Sequence, residues 1–116
     1  MITTLRLQNF RSYSDESFEF EPGVNIVVGP NASGKTNLLE AVLLLARGGS
    51  YRARDLDLIK FGAAWARLDG YFGPNLRTAK LELSDAETIA KSFVLDNKIY
   101  KRLGLERTVP VVFFEP

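Results

Sequence analysis

The sequence predicts an α/β fold in which a strand-rich lobe surrounds one buried helix. Three observations point to it. Several short segments alternate apolar and polar residues, the period of a strand with one face in the core. The stretch from Asn37 to Arg47 carries Leu38, Leu39, Ala41, Val42, Leu43, Leu44, Leu45 and Ala46. A helix that is apolar nearly all round must be enclosed on several sides. Ahead of it a β-branched run, Val24-Asn25-Ile26-Val27-Val28, leads into a glycine-rich loop, giving the order strand, loop, helix.

The elements follow in chain order. Ile2 to Phe10 places Leu5 and Leu7 on one face and Thr4, Arg6 and Gln8 on the other, a half-buried strand. Ser17-Phe18-Glu19-Phe20-Glu21 alternates in the same way, and Pro22-Gly23 turns the chain toward Val24. Two antiparallel strands thus precede the loop. Gly48-Gly49 is a helix stop. A helical turn is expected at Leu56-Asp57-Leu58-Ile59. Ala64 to Phe72 and Thr78 to Leu83 read as strands joined through Gly73-Pro74-Asn75, with Trp65, Tyr71 and Phe72 assigned to packing. Ile89 to Leu95 and Lys98 to Lys101 read as a hairpin across Asp96-Asn97. Val109 to Pro116 reads as a further strand. An apolar run in that position gives the expectation that 1–116 is the N-terminal portion of a longer protein.

The loop itself is Gly29-Pro30-Asn31-Ala32-Ser33-Gly34-Lys35-Thr36, which fits G-x-x-x-x-G-K-[ST], the P-loop that holds nucleotide phosphates. Glycines let the backbone close around a phosphate where a Cβ would collide. The inward N–H groups form an anion nest, and the following helix adds its positive end. Lys35 is the charge for the β- and γ-phosphates, and the Thr36 hydroxyl is the ligand for Mg²⁺.

Composition narrows the chemistry. The 116 residues are 46% hydrophobic and 25% charged, as in a globular protein, and the net charge of +1 drives no global attraction to nucleic acid. With no cysteine and no histidine, disulfides, thiolate metal sites and imidazole catalysis are excluded. No stretch is long enough to span a bilayer and no signal-peptide pattern opens the chain, so a cytoplasmic protein without a membrane partner is expected.

Leu7-Gln8-Asn9-Phe10-Arg11-Ser12-Tyr13, Gly23 to Asn31, and Gly34-Lys35-Thr36-Asn37-Leu38-Leu39-Glu40-Ala41 resemble the start of the SMC/RecF group of ABC-type ATPases. Gly49-Ser50-Tyr51-Arg52-Ala53-Arg54-Asp55, Leu58-Ile59-Lys60-Phe61-Gly62, Ala66-Arg67-Leu68 and Val111-Val112-Phe113-Phe114-Glu115-Pro116 resemble the RecF type in particular. The resemblance implies an ABC-type head that binds ATP with Mg²⁺ and forms an ATP-dependent homodimer in the full-length protein. It implies binding to gapped or junction DNA. It further implies RecO-like and RecR-like partners that promote RecA loading at single-strand gaps during repair, replication and the SOS response. A weak DNA-stimulated ATPase activity of the full-length protein is also implied. Two other readings stay open: the head of another SMC-like ATPase or ATPase-linked nuclease, and a stand-alone nucleotide-binding module or small kinase.

Single residues acquire candidate roles from the same resemblance. Arg11 would approach the nucleotide phosphates; alternatively it is a surface cation paired with Asp15 or Glu16. Asn31 would bond the γ-phosphate or the attacking water, or merely suit the turn, and Asn37 would sit near the α-phosphate or on the helix surface. Arg52 and Arg54, in a basic cluster with Arg47 and Tyr51, would contact DNA or phosphate, or form a solvated loop with local ion pairs. Lys98, Lys101, Arg102 and Arg107 make a looser basic set. The second acidic motif and the signature loop of an ABC ATPase are missing from the sequence. Its nearest mimic of the acidic motif, Phe93-Val94-Leu95-Asp96, is followed by Asn97 and reads as a hairpin turn, with a metal-binding acid as the alternative. No catalytic residue is therefore assigned, and the chain is expected to bind nucleotide without hydrolysing it by itself.

Overall fold

The computed structural model describes residues 2–20, 32–49, 54–85 and 88–110, and for 32–37 the backbone alone. Among the described residues six strands form one antiparallel sheet: β1 (Ile2–Phe10), β2 (Tyr13–Glu19), β3 (Trp65–Phe72), β4 (Asn75–Leu83), β5 (Ile89–Leu95) and β6 (Lys98–Tyr100), in the order β2-β1-β3-β4-β5-β6. Two α-helices among the described residues accompany them, α1 (Ala32–Arg47) and the single turn α2 (Asp55–Leu58), with a 3-10 turn at Leu105–Arg107.

Period-two alternation decides which face of the sheet is covered. On β3, Ala66, Leu68 and Phe72 are buried while Trp65, Arg67 and Tyr71 are exposed. The register places Leu7 opposite Leu68 and Leu68 opposite Ala79, which in turn faces Phe93, so one apolar stripe crosses four strands. Against it packs α1, in which every residue from Leu39 to Ala46 is at most 6% exposed. The approach is close at Gly70, where a Cβ would lie 2.9 Å from Leu45 Cδ1 and 3.3 Å from Ile2 Cδ1. A Cβ there would displace the end of the Leu45 side chain.

The turns follow from local chemistry. Asp96 and Asn97 have φ of 52° and 64°, the two left-handed residues of a type I′ hairpin. Gly73, with φ of 63°, precedes Pro74 in the tight β3–β4 connection. Gly48, φ 91°, ends α1 and donates its N–H to Leu44 O at 2.9 Å.

Several expectations change. The helix begins at Ala32, five residues before Asn37, so the second half of the glycine-rich motif is already helical. Helix N-termini are polar and small in side chain, which hides them from an apolar periodicity. The second strand runs Tyr13–Glu19 instead of Ser17 to Glu21, because its pairing with β1 starts at the turn after Phe10. Of the three aromatics assigned to packing, Phe72 is in the core, but Trp65 and Tyr71 lie on the open face, 45% and 43% exposed. Odd and even positions of one strand cannot share a face. The expected strand Val24 to Val28 and the segment Val111 to Pro116 fall outside the described residues.

Candidate nucleotide-binding site

The site is built around the first turn of α1. A helix that starts at Ala32 leaves the N–H groups of its first three residues, Ala32, Ser33 and Gly34, without intrahelical partners at the positive end of the dipole. No acidic residue stands in that turn. Both facts fit a phosphate, and Lys35 and Thr36 supply the residue types that a Mg²⁺-nucleotide needs. Of the predicted site residues, Ala32 to Asn37 are placed together by the helix backbone. Gly29, Pro30, Asn31 and Arg52 lie outside the described residues.

Arg11 is brought to this helix from the far side of the β1–β2 turn. Its Nε donates to Glu40 Oε2 at 2.8 Å and its Nη2 donates to the same oxygen. Glu40 is 2% exposed and the Arg11 side chain 27%. The pairing of Arg11 with Asp15 or Glu16 is thus corrected: Asp15 is taken by Arg6, whose Nε and Nη2 bond its two oxygens at 3.0 and 2.8 Å. That bidentate hydrogen bond holds the Asp15 carboxyl below the usual carboxylate range. Sequence reading missed Glu40. The available signal was one carboxylate inside an otherwise apolar helix, which burial would force to find a cation.

The backbone of Arg11 is fixed as well. It has φ of 53°, and its N–H bonds Leu58 O at 2.8 Å while Lys60 N–H bonds Asn9 O at 2.7 Å. These contacts dock α2 and the residues after it onto the β1–β2 turn, with Leu58 fully buried. Between them opens a cleft of about 810 Å³, lined among others by Arg11, Ser12, Leu56, Lys60, Phe61 and Leu83. Lys60 Nζ donates to Ser14 Oγ at 2.7 Å, and Phe61 is fully exposed at its edge.

The opposite end of α1 is held by cations. Arg77 donates through Nη1 to Leu45 O at 3.0 Å and through Nη2 to Arg107 O, and Lys91 Nζ reaches Gly48 O at 2.9 Å. Burial lowers the Arg77 pKa, and the helix carbonyls it meets carry the negative end of the dipole. Arg54 is exposed and pairs with Asp57 at 3.3 Å. Lys98, Lys101 and Arg102 are exposed around β6, and Arg107 lies over the Tyr100 ring at 4.3 Å. Asp96 sits in the β5–β6 turn, as expected of a hairpin.

The model of the AAA domain family matches residues 4–104. The DNA replication and repair protein RecF of Heliobacterium modesticaldum is 36% identical over 117 residues, covering 99% of this chain and 32% of that protein. RecF of Halalkalibacterium halodurans is 47% identical over 72 residues, 61% of this chain and 19% of that protein. The chain therefore spans about a third or less of the relatives it matches. Two solved structures described as the recombination mediator protein RecF in the RecFOR pathway, RecF-ATP and RecF-ATPrS, superpose with TM-scores of 0.66 and 0.68 at 26% identity. They cover 85% and 87% of this chain and 27% and 28% of theirs. The lobe is accordingly the strand-rich part of an ABC-type ATPase head. The chain belongs to the AAA domain family, and in sequence and fold it is RecF-like along nearly its whole length.

Proposed function

We propose that this chain is the ATP-binding part of a RecF-like repair ATPase. The observation that carries the reading is the junction of G-x-x-x-x-G-K-T with the N-terminus of α1, on a fold shared with RecF-ATP. The backbone of Gly29, Pro30, Asn31, Ala32, Ser33 and Gly34 cradles the phosphates, Lys35 meets the β- and γ-phosphates, and Thr36 ligates Mg²⁺. Asn37 and Arg11 complete the phosphate contacts. Phe61 and the cleft beside Arg11 take the base and sugar, the aromatic edge supplying a stacking surface.

In the whole protein, ATP draws two heads into a dimer on gapped or junction DNA, and RecO-like and RecR-like partners act with it to promote RecA loading in the cytoplasm. Arg52 and Arg54 contact DNA phosphates; the exposed Arg54–Asp57 pair is weak enough to exchange for one. Acidic groups for hydrolysis come from residues beyond this chain, which binds nucleotide without turning it over.

Equilibrium binding of a fluorescent ATP analogue with Mg²⁺ tests the reading. Binding that Lys35→Ala abolishes and GTP does not compete is expected. No binding by the folded protein, or binding indifferent to Lys35→Ala, refutes it. Phe61→Ala should weaken binding without lowering the melting temperature, since a fully exposed side chain contributes nothing to the core.

A further inference from the structure

The buried carboxylate of Glu40 lies on the nucleotide-binding helix, where a negative charge opposes the ligand. Positions 36 and 40 are one turn apart on the same face of α1. Helical side chains lean toward the N-terminus, so the Glu40 carboxylate stands over the turn that carries Thr36. An anion there, 2% exposed and weakly screened, would repel a triphosphate were it not paired with the Arg11 guanidinium. The Arg11 guanidinium meets it with Nε and Nη2 on a single oxygen, Oε2. That fork fixes the plane of the guanidinium and keeps Nη1 outside the pair, on a planar group with five donors. The Arg11 backbone is already pinned by Leu58 O.

We infer that Glu40 is a positioning residue: it holds Arg11 in the orientation that serves the terminal phosphates of the nucleotide. This rests on the nucleotide-site reading above. It gives Glu40 a role opposite in sign to its charge. Electrostatics alone requires that removing this anion tighten binding of a polyphosphate. Positioning requires that removal weaken it, because a released Arg11 loses its preorganised geometry.

The test is the Kd of Mg-ATP and of AMP for the full-length protein in five forms: unaltered, Glu40→Gln, Glu40→Ala, Arg11→Ala and the Arg11→Ala/Glu40→Ala double variant, with melting temperatures recorded. Glu40→Gln keeps the shape and an acceptor oxygen, so it separates folding from aiming. The expected result is an ATP affinity about tenfold lower for Arg11→Ala and Glu40→Ala, severalfold lower for Glu40→Gln, and AMP affinity nearly unchanged. In the Arg11→Ala background, Glu40→Ala should cause no further loss, the non-additivity of a coupled pair. ATP binding by folded Glu40→Gln that is unchanged or tighter while Arg11→Ala weakens it overturns the role of Glu40. Equal losses for ATP and AMP overturn it too, as they mark a structural effect. Failure of the unaltered protein to bind ATP overturns the nucleotide-site reading instead.

Discussion

Glu40 and Arg11 show what a residue can and cannot disclose before folding. The eight-residue loop could be read as a phosphate site because G-x-x-x-x-G-K-[ST] is a pattern of local spacing. The partner of Arg11 was not, because Asp15 and Glu16 are nearer in sequence and only the packing of α1 brings Glu40 closer. The pair also has a stability consequence. Glu40→Ala leaves the Arg11 guanidinium partly buried without its carboxylate, at a cost of about 3 kcal/mol. A drop in denaturant midpoint at unchanged m-value checks it. The exposed Arg6–Asp15 pair behaves differently. The folded pKa of Asp15 is depressed, so its contribution is present above the ordinary carboxylate value and lost as pH falls through the folded one. Melting temperatures of Asp15→Asn and the parent should differ slightly at neutral pH and converge in acid.

At the scale of elements, the hairpins and the buried helix were readable from periodicity and turn residues. Asp96-Asn97 announced a hairpin, and both residues are left-handed, as a type I′ turn requires. Asn97→Gly is expected to stabilise the hairpin by about 0.5 kcal/mol, because glycine adopts φ of 64° without a Cβ penalty. A higher melting temperature checks this, and Asn97→Val should move it the other way. The start of α1 was not readable, since Ala32-Ser33-Gly34-Lys35 has no apolar stripe to distinguish helix from loop. Nor was the anchoring of its other end. Arg77 read as an ordinary strand residue, yet its guanidinium bonds the last carbonyls of α1. Arg77→Ala leaves these groups short of partners and should cost about 1–3 kcal/mol, measured by chemical denaturation.

For the whole molecule, the sheet order was the part no local pattern contained. Neighbouring strands were visible, but nothing in their composition states that β1 pairs with β3 across the helix between them. The same arrangement links ligand and fold. A ligand at 100 times its Kd that binds only the folded state raises stability by about 2.7 kcal/mol. Mg-ATP should raise the melting temperature of the parent accordingly and leave that of Lys35→Ala unmoved.

The order β2-β1-β3-β4-β5-β6 also sets a sequence of assembly. Strands β3 to β6 form a meander joined by short connections, whose contacts are local and close quickly. Pairing of Leu7 with Leu68 must instead close a long loop that contains α1, and such closures wait until enough contacts compensate the lost chain entropy. The β1–β2 hairpin is therefore the late arrival. Leu7→Ala should speed unfolding far more than it slows folding. On this order α1 is the element enclosed last, and the strand that leads into Arg11 is the one expected to close over it.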